Sequence, residues 1–209
     1  MSLFLGKVHF WLYDKIIWYE GLEQEIINWA KTIDVPVEEW MGEIYSKYGQ
    51  PTGGRPLEEV VDTANIHGWL QDRISSTELR QSALVTKIIN IDPDNINALI
   101  NIFSKQGEMA AHQLDQKNLS PEEIYNALNN YILEGMPCDR AEMLLSKTND
   151  EYVWRLTRCL HRQYWEANNG NIENFYTLRG AWLKAFVETI NSELSYERSG
   201  DNMHRIFKK

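Results

Sequence analysis

Residues 142–157 read Glu142-Met143-Leu144-Leu145-Ser146-Lys147-Thr148-Asn149-Asp150-Glu151-Tyr152-Val153-Trp154-Arg155-Leu156-Thr157, and here the chain leaves the helical period. Two short runs rich in apolar and β-branched residues, 142–145 and 152–157, flank Asn149-Asp150, which is a hairpin signal. In the second run Tyr152, Trp154 and Leu156 share one face, and Val153, Arg155 and Thr157 the other. That alternation suits a strand with one side buried. Downstream, 160–167 reads as a short helix and 175–190 as a longer one, with Leu178, Trp182, Ala185, Phe186 and Ile190 in a stripe. Residues 194–198 and 203–207 flank Ser199-Gly200-Asp201 as a second hairpin.

Upstream the pattern is helical. Val8, Leu12, Ile16, Tyr19, Ile26 and Trp29 recur at mostly three- and four-residue spacing and predict an amphipathic helix over 4–31, with Gly21 as a candidate break. A second helix is predicted over 36–48, and the prolines and glycines of 49–56 make the clearest loop. Residues 57–89 are helical in composition, with Gly68 and Ser75-Ser76 as candidate breaks. Asp92 and Pro93 read as the cap and first residue of another helix. Ser120 and Glu123 form a capping box for a helix expected to stop near Gly135-Met136-Pro137. The fold class expected is α+β: a helical region over 1–136, then 137–209 as a small four-stranded antiparallel sheet covered by helices.

The 209 residues are 43% hydrophobic and 24% charged, ordinary values for a globular chain with a sizeable core. A formal net charge of -9 leaves no basic footprint for a duplex or an anionic membrane surface, so neither nucleic acid nor membrane is an expected partner. No run approaches the roughly 20 apolar residues of a membrane span, and residues 1–7 lack the pattern of a secretory leader. With two separated cysteines, Cys138 and Cys159, a disulfide framework and a four-cysteine zinc site are excluded by count. A cytoplasmic location is expected.

Cys159 and His161 follow the first hairpin, beside Arg155 and Arg158. An imidazole or guanidinium nearby would favour the reactive thiolate, whereas the commoner use of such a cysteine is as a small buried hydrophobe. Glu108 and His112, four apart on a helix, read first as a surface ion pair. His9, His67 and His204 are dispersed and show no metal-ligand spacing, and no phosphate-binding glycine motif or nucleophile elbow occurs.

From about residue 140 to the end the chain resembles the L-2-amino-thiazoline-4-carboxylic acid hydrolase-like family and, more distantly, is similar to vinyl-reductase-type small-molecule-binding domains. The resemblance rests on the hairpin, the Arg158-Cys159 step into a short helix with Tyr164-Trp165-Glu166, the turn Asn191-Ser192-Glu193, and the closing Tyr196-Glu197-Arg198 and Gly200-Asp201. Leu160 stands where the family usually has proline, and Met203 and His204 where a cysteine usually follows Gly-Asp. The resemblance implies a hydrolase of a small C=N-containing heterocycle or amide. Cys159 would be nucleophile or metal ligand, His161 or His204 the acid/base, and Arg158 or Arg198 the holder of a substrate carboxylate, with Trp154 and Asp201 as further contacts. The sequence names no cofactor and leaves a metal open. Because no complete catalytic set is visible, the favoured expectation is a soluble small-molecule-binding protein on that scaffold, lacking catalysis. A homodimer or interaction protein built on the helix over 4–31 is the third expectation.

Overall fold

The computed structural model describes residues 4–200 and 202–209. The elements run α1 (Lys7–Ala30), α2 (Val37–Tyr48), α3 (Leu57–Val60), α4 (Ile66–Ile91), α5 (Asn95–His112), α6 (Pro121–Leu128), β1 (Glu142–Lys147), β2 (Glu151–Leu156), α7 (Arg162–Glu166), α8 (Ile172–Ile190), β3 (Leu194–Ser199) and β4 (Met203–Lys208). The α+β class and the four-stranded antiparallel sheet are as expected, with strand order β1-β2-β4-β3. Among the described residues no helix is long and apolar enough to cross a membrane.

Several local expectations are corrected. α1 passes Gly21 unbroken, and α4 is continuous through Gly68 and Ser75-Ser76. Gly68 lies in the first turn of α4, where its amide needs a partner outside the helix, and the Asn65 side chain supplies it at 3.2 Å. Ser76 donates to the Tyr48 carbonyl on α2, so its hydroxyl does not compete with the backbone of its own helix. α5 starts at Asn95 with Asp94 at its cap, not at Pro93, and α6 ends at Leu128, before Gly135. The Ser120–Glu123 capping box is present.

The contacts divide the chain into two compact units that interleave in sequence. Unit 1 takes the chain up to Pro93, Leu133–Met136 and His161–Asn171. Unit 2 takes Asp94–Ile132, Pro137–Leu160 and Ile172–Lys209. α5 and α6 precede residue 137 yet belong with the sheet, while α7 follows it yet belongs with the early helices.

In unit 1, α1, α2 and α7 pack around α4. The apolar stripe of α1 (Leu12, Tyr13, Ile16 and Tyr19) closes on Leu57, Ile66, Leu70, Ile74 and Leu133, all buried. Of the stripe read from the sequence, Leu12, Ile16 and Tyr19 are thus covered within the unit, while Val8 is exposed. In unit 2, α8 lies against α5 and β3, and α6 against β2 and β4. Tyr125 of α6 stacks on Tyr152 at 4.2 Å and meets Trp154 at 5.0 Å, so α6 covers the face with Tyr152, Trp154 and Leu156. Trp182 and Phe186 of α8 stack at 5.1 Å, and both meet Tyr131.

Candidate functional site

A helix packed on every side must be apolar all round or have its polar side chains paired, because an unpaired buried polar group carries its full desolvation cost. The middle of α4 takes the second course. Ser76, Thr77, Glu78, Arg80, Gln81 and Ser82 are all buried, directly ahead of the apolar Ala83-Leu84-Val85.

Arg80, 1% exposed, is the first centre. Its Nε donates to both oxygens of Glu23 (2.9 and 3.2 Å), Nη1 to Ser76 Oγ (2.8 Å), and Nη2 to Glu20 Oε1 (3.0 Å) and Thr77 Oγ1 (3.3 Å). Glu20 also accepts from the amide of Thr52 at 3.0 Å and from its hydroxyl at 2.6 Å, which ties the Pro/Gly loop to α1. Burial raises the Glu23 carboxyl pKa against the pull of Arg80, and the Tyr45 phenol beside it is pushed up to about 12, by burial first and then by Glu23. All three nitrogens of Arg80 donate here.

The second centre is His161, 1% exposed at the start of α7. Nδ1 lies 2.8 Å from Glu78 Oε1, and Nε2 lies 3.1 Å from Glu134 Oε1. Two flanking carboxylates require a proton on each nitrogen, so the ring is an imidazolium. Burial by itself lowers its pKa, but Glu78 and Glu134 overcome this and raise it to about 10. The ring is held over α4 by its own segment. Ser82 Oγ donates to the Tyr164 carbonyl (2.9 Å), and Asn168 Nδ2 donates to Ser82 Oγ (2.8 Å) and the Leu79 carbonyl (3.2 Å). Tyr48 donates to Asn168 Oδ1 at 2.6 Å. Gly170 sits so close that an added Cβ would lie 2.5 Å from Thr86 Oγ1.

Among the described residues, the other oxygen of Glu78, Oε2, is buried without a donor, and Gln81 Nε2 and Thr86 Oγ1 are buried without hydrogen-bond partners. Glu78 and Gln81 lie one helical turn apart, so an acceptor and a donor lacking partners share one face of α4. Thr86 is eight residues from Glu78, about 12 Å along the axis. Glu134 is the most open of the cluster, its side chain 16% exposed on the segment Leu133–Met136.

Of the residues singled out in the sequence, His161 lies in this cluster. Both its ring nitrogens face carboxylates, and as an imidazolium it has no lone pair with which to take a proton from a thiol. Cys159 belongs to unit 2 and is half-buried, with a free thiol. His204 is buried in the sheet, stacked on Trp154 at 5.3 Å, with the Tyr196 hydroxyl 2.7 Å from its Nδ1. Arg158 is engaged by the Asp139 carboxylate and carbonyl, both at 2.8 Å. Arg198 pairs with Glu173 at 2.9 Å and lies over the Tyr176 ring at 3.7 Å. Trp154 and His204 are therefore brought together, while Arg158 and Arg198 each have local acidic partners. Asp201 lies outside the described residues. Glu108 and His112 are both exposed on α5.

Sequence reasoning missed Glu78, Glu134, Arg80 and Gln81. The one signal was the polar run Ser75–Ser82 between Ile74 and Ala83, with no apolar stripe of its own beyond Leu79.

The structure also joins two histidines that look unrelated in sequence. His9 Nε2 and His67 Nε2 are 3.0 Å apart, and the Gly6 amide donates to His9 Nδ1 at 2.9 Å. That donation puts the proton of a neutral His9 on Nε2, aimed at His67, which is a hydrogen bond and not a pair of metal-ready lone pairs. Burial, and next the neighbouring His67, lower the His9 pKa. Among the described residues no group of three or more His, Cys, Asp or Glu is arranged to hold a metal. Comparison with family models, with curated proteins and with solved structures gives no match.

Proposed function

We propose that this chain is a small-molecule-binding protein whose site is built on Glu78, His161 and Glu134, with no covalent role for Cys159. One observation carries the reading: Glu78 Oε2, in a side chain 1% exposed, has no donor among the described residues. Native proteins pair such atoms almost without exception, and the exceptions concentrate at sites completed by a ligand, an ion or ordered water. The rigid hold on His161 supports the same reading, since binding groups work best when fixed beforehand by their neighbours. The hydrolase alternative has less support, because an imidazolium clamped between carboxylates is a poor general base at neutral pH. A cytoplasmic setting accords with Cys138 and Cys159 both being unbridged, with Cys138 exposed.

The test is a thermal-shift and calorimetry screen of the whole chain against small amines, guanidines, amides and carboxylic acids, in parallel with Glu78→Gln. The variant keeps the shape and the acceptor for His161. Saturable binding by at least one class, lost in the variant, is the expected result. Equal behaviour of the two proteins, or no binding by any class, would leave water as the partner of Glu78 and overturn the proposal.

A further inference from the structure

The sheet ends on β1, so among the described residues its outer edge has no strand beside it. Edge strands are commonly blunted by charge, proline or brevity, because their open amide and carbonyl groups pair readily with another chain. β1 instead exposes Met143, Leu144 and Leu145 in a row, and Met203 is exposed on the same face as Met143. The other edge strand, β3, exposes no large apolar side chain. We infer that β1 is a self-association surface: two copies of this chain pair their β1 strands antiparallel about a two-fold axis and join their sheets into one continuous sheet.

The strand is complementary to itself. In the register centred between Leu144 and Leu145, Glu142 stands opposite Lys147 of the second copy, Met143 opposite Ser146, and Leu144 opposite Leu145. Opposite charges thus meet at both ends and apolar side chains in the middle, as a two-fold interface requires. Residues opposite each other in an antiparallel pair point to the same side of the sheet, and a β-bulge makes this register consistent. Leu145 is the extra residue of the bulge: Leu144 pairs with Trp154, and Ser146 with the adjacent Val153. Glu142 and Lys147 therefore share the face of Leu156 and Tyr152, and Met143 and Ser146 share the opposite one. Without the bulge, simple alternation would put Glu142 and Lys147 on opposite faces. The bulge also selects the occupant. A regular strand laid along this edge would fall out of register at Leu145, whereas a second copy carries the same extra residue at the same place. In each chain Glu142 accepts from Tyr125 and Lys147 pairs with Glu122, both on α6, so the second copy adds a counter-charge to groups already held on that face.

Sedimentation velocity of the whole chain over a range of concentrations reads its mass, with circular dichroism as the check on folding. The expected result is a reversible dimer that Leu144→Lys abolishes without loss of secondary structure. Glu142→Lys and Lys147→Glu, each alone, set like charges opposite each other at both ends and should weaken self-association by about tenfold or more. Mixing these two single variants should restore association as a heterodimer, because each supplies the charge that the other lacks. Such a rescue separates the interface from damage within the chain, since neither variant regains its own contact with α6 in the mixture. A monomer at every concentration, a dimer indifferent to Leu144→Lys, or a mixture that associates no better than its components would each overturn the inference.

Discussion

Replacing Arg80 by methionine removes the guanidinium that pairs with two buried carboxylates of α1, and the size of the effect follows from the geometry. Arg80, Glu23 and Glu20 have side chains 1%, 2% and 8% exposed. Methionine matches the aliphatic stem but supplies no donor, so the contacts to Glu23, Glu20, Ser76 and Thr77 go together. Glu20 keeps its bonds from Thr52, and Glu23 keeps only the long 3.4 Å contact from Tyr45. Breaking a buried ion pair from one side costs about 3–5 kcal/mol. Glu23 should dominate, because it is the deeper and loses more. Urea unfolding followed by tryptophan fluorescence reports on this unit, which holds Trp11, Trp18, Trp29, Trp40, Trp69 and Trp165. Burial already raises the Glu23 pKa, and removing Arg80 raises it further, so protonation should relieve the defect. The deficit is therefore expected to shrink as pH is lowered from neutral towards 5. Adding Glu23→Leu should recover most of it. A loss under about 1 kcal/mol, or a deficit indifferent to pH, would refute the reasoning.

Two more predictions follow from single observations. His161 should remain protonated to about pH 10, whereas His9 should stay neutral below the ordinary value of 6.5. The raised His161 pKa stabilises the fold fully below about 6.5 and loses that contribution as pH rises towards 10; the lowered His9 pKa contributes above 6.5 and is lost as pH falls. Histidine ring-proton NMR against pH measures both, and a His161 titrating near 6.5 would mean that the carboxylates do not clamp it. Gly107→Ala should destabilise unit 2, since its Cβ would lie 2.3 Å from the Trp182 carbonyl oxygen and 3.3 Å from the Phe186 amide where α5 meets α8. Overpacking of about 1–3 kcal/mol should exceed the gain of about 1 kcal/mol in helix propensity, and a neutral or more stable variant in chemical denaturation would show that the helices part easily.

The polar middle of α4 explains why the candidate site escaped a reading by pattern. Ser75-Ser76-Thr77-Glu78 and Arg80-Gln81-Ser82 look like the solvated face of a helix, because polarity normally reports exposure. Their burial depends on partners 57 residues away in the case of Glu23, and 83 in the case of His161. The same holds for His9 and His67, which lie 58 residues apart yet share a hydrogen bond.

What this sequence determined alone is what short-range physics controls. The two-residue alternation at Tyr152–Thr157 and the turn at Ser199–Gly200 placed all four strands, because a strand with one buried face must alternate whatever it packs against. The Ser120–Glu123 box set the start of α6 by bonds within one turn. Tertiary structure decided the rest. It kept α4 whole through Gly68 and Ser75-Ser76, sent α5 and α6 to the sheet and α7 to the early helices, and turned a proposed base, His161, into a clamped cation. Its charge depends on which carboxylates the fold brings within 3.1 Å, and no local pattern encodes a distance between residues so far apart in the chain.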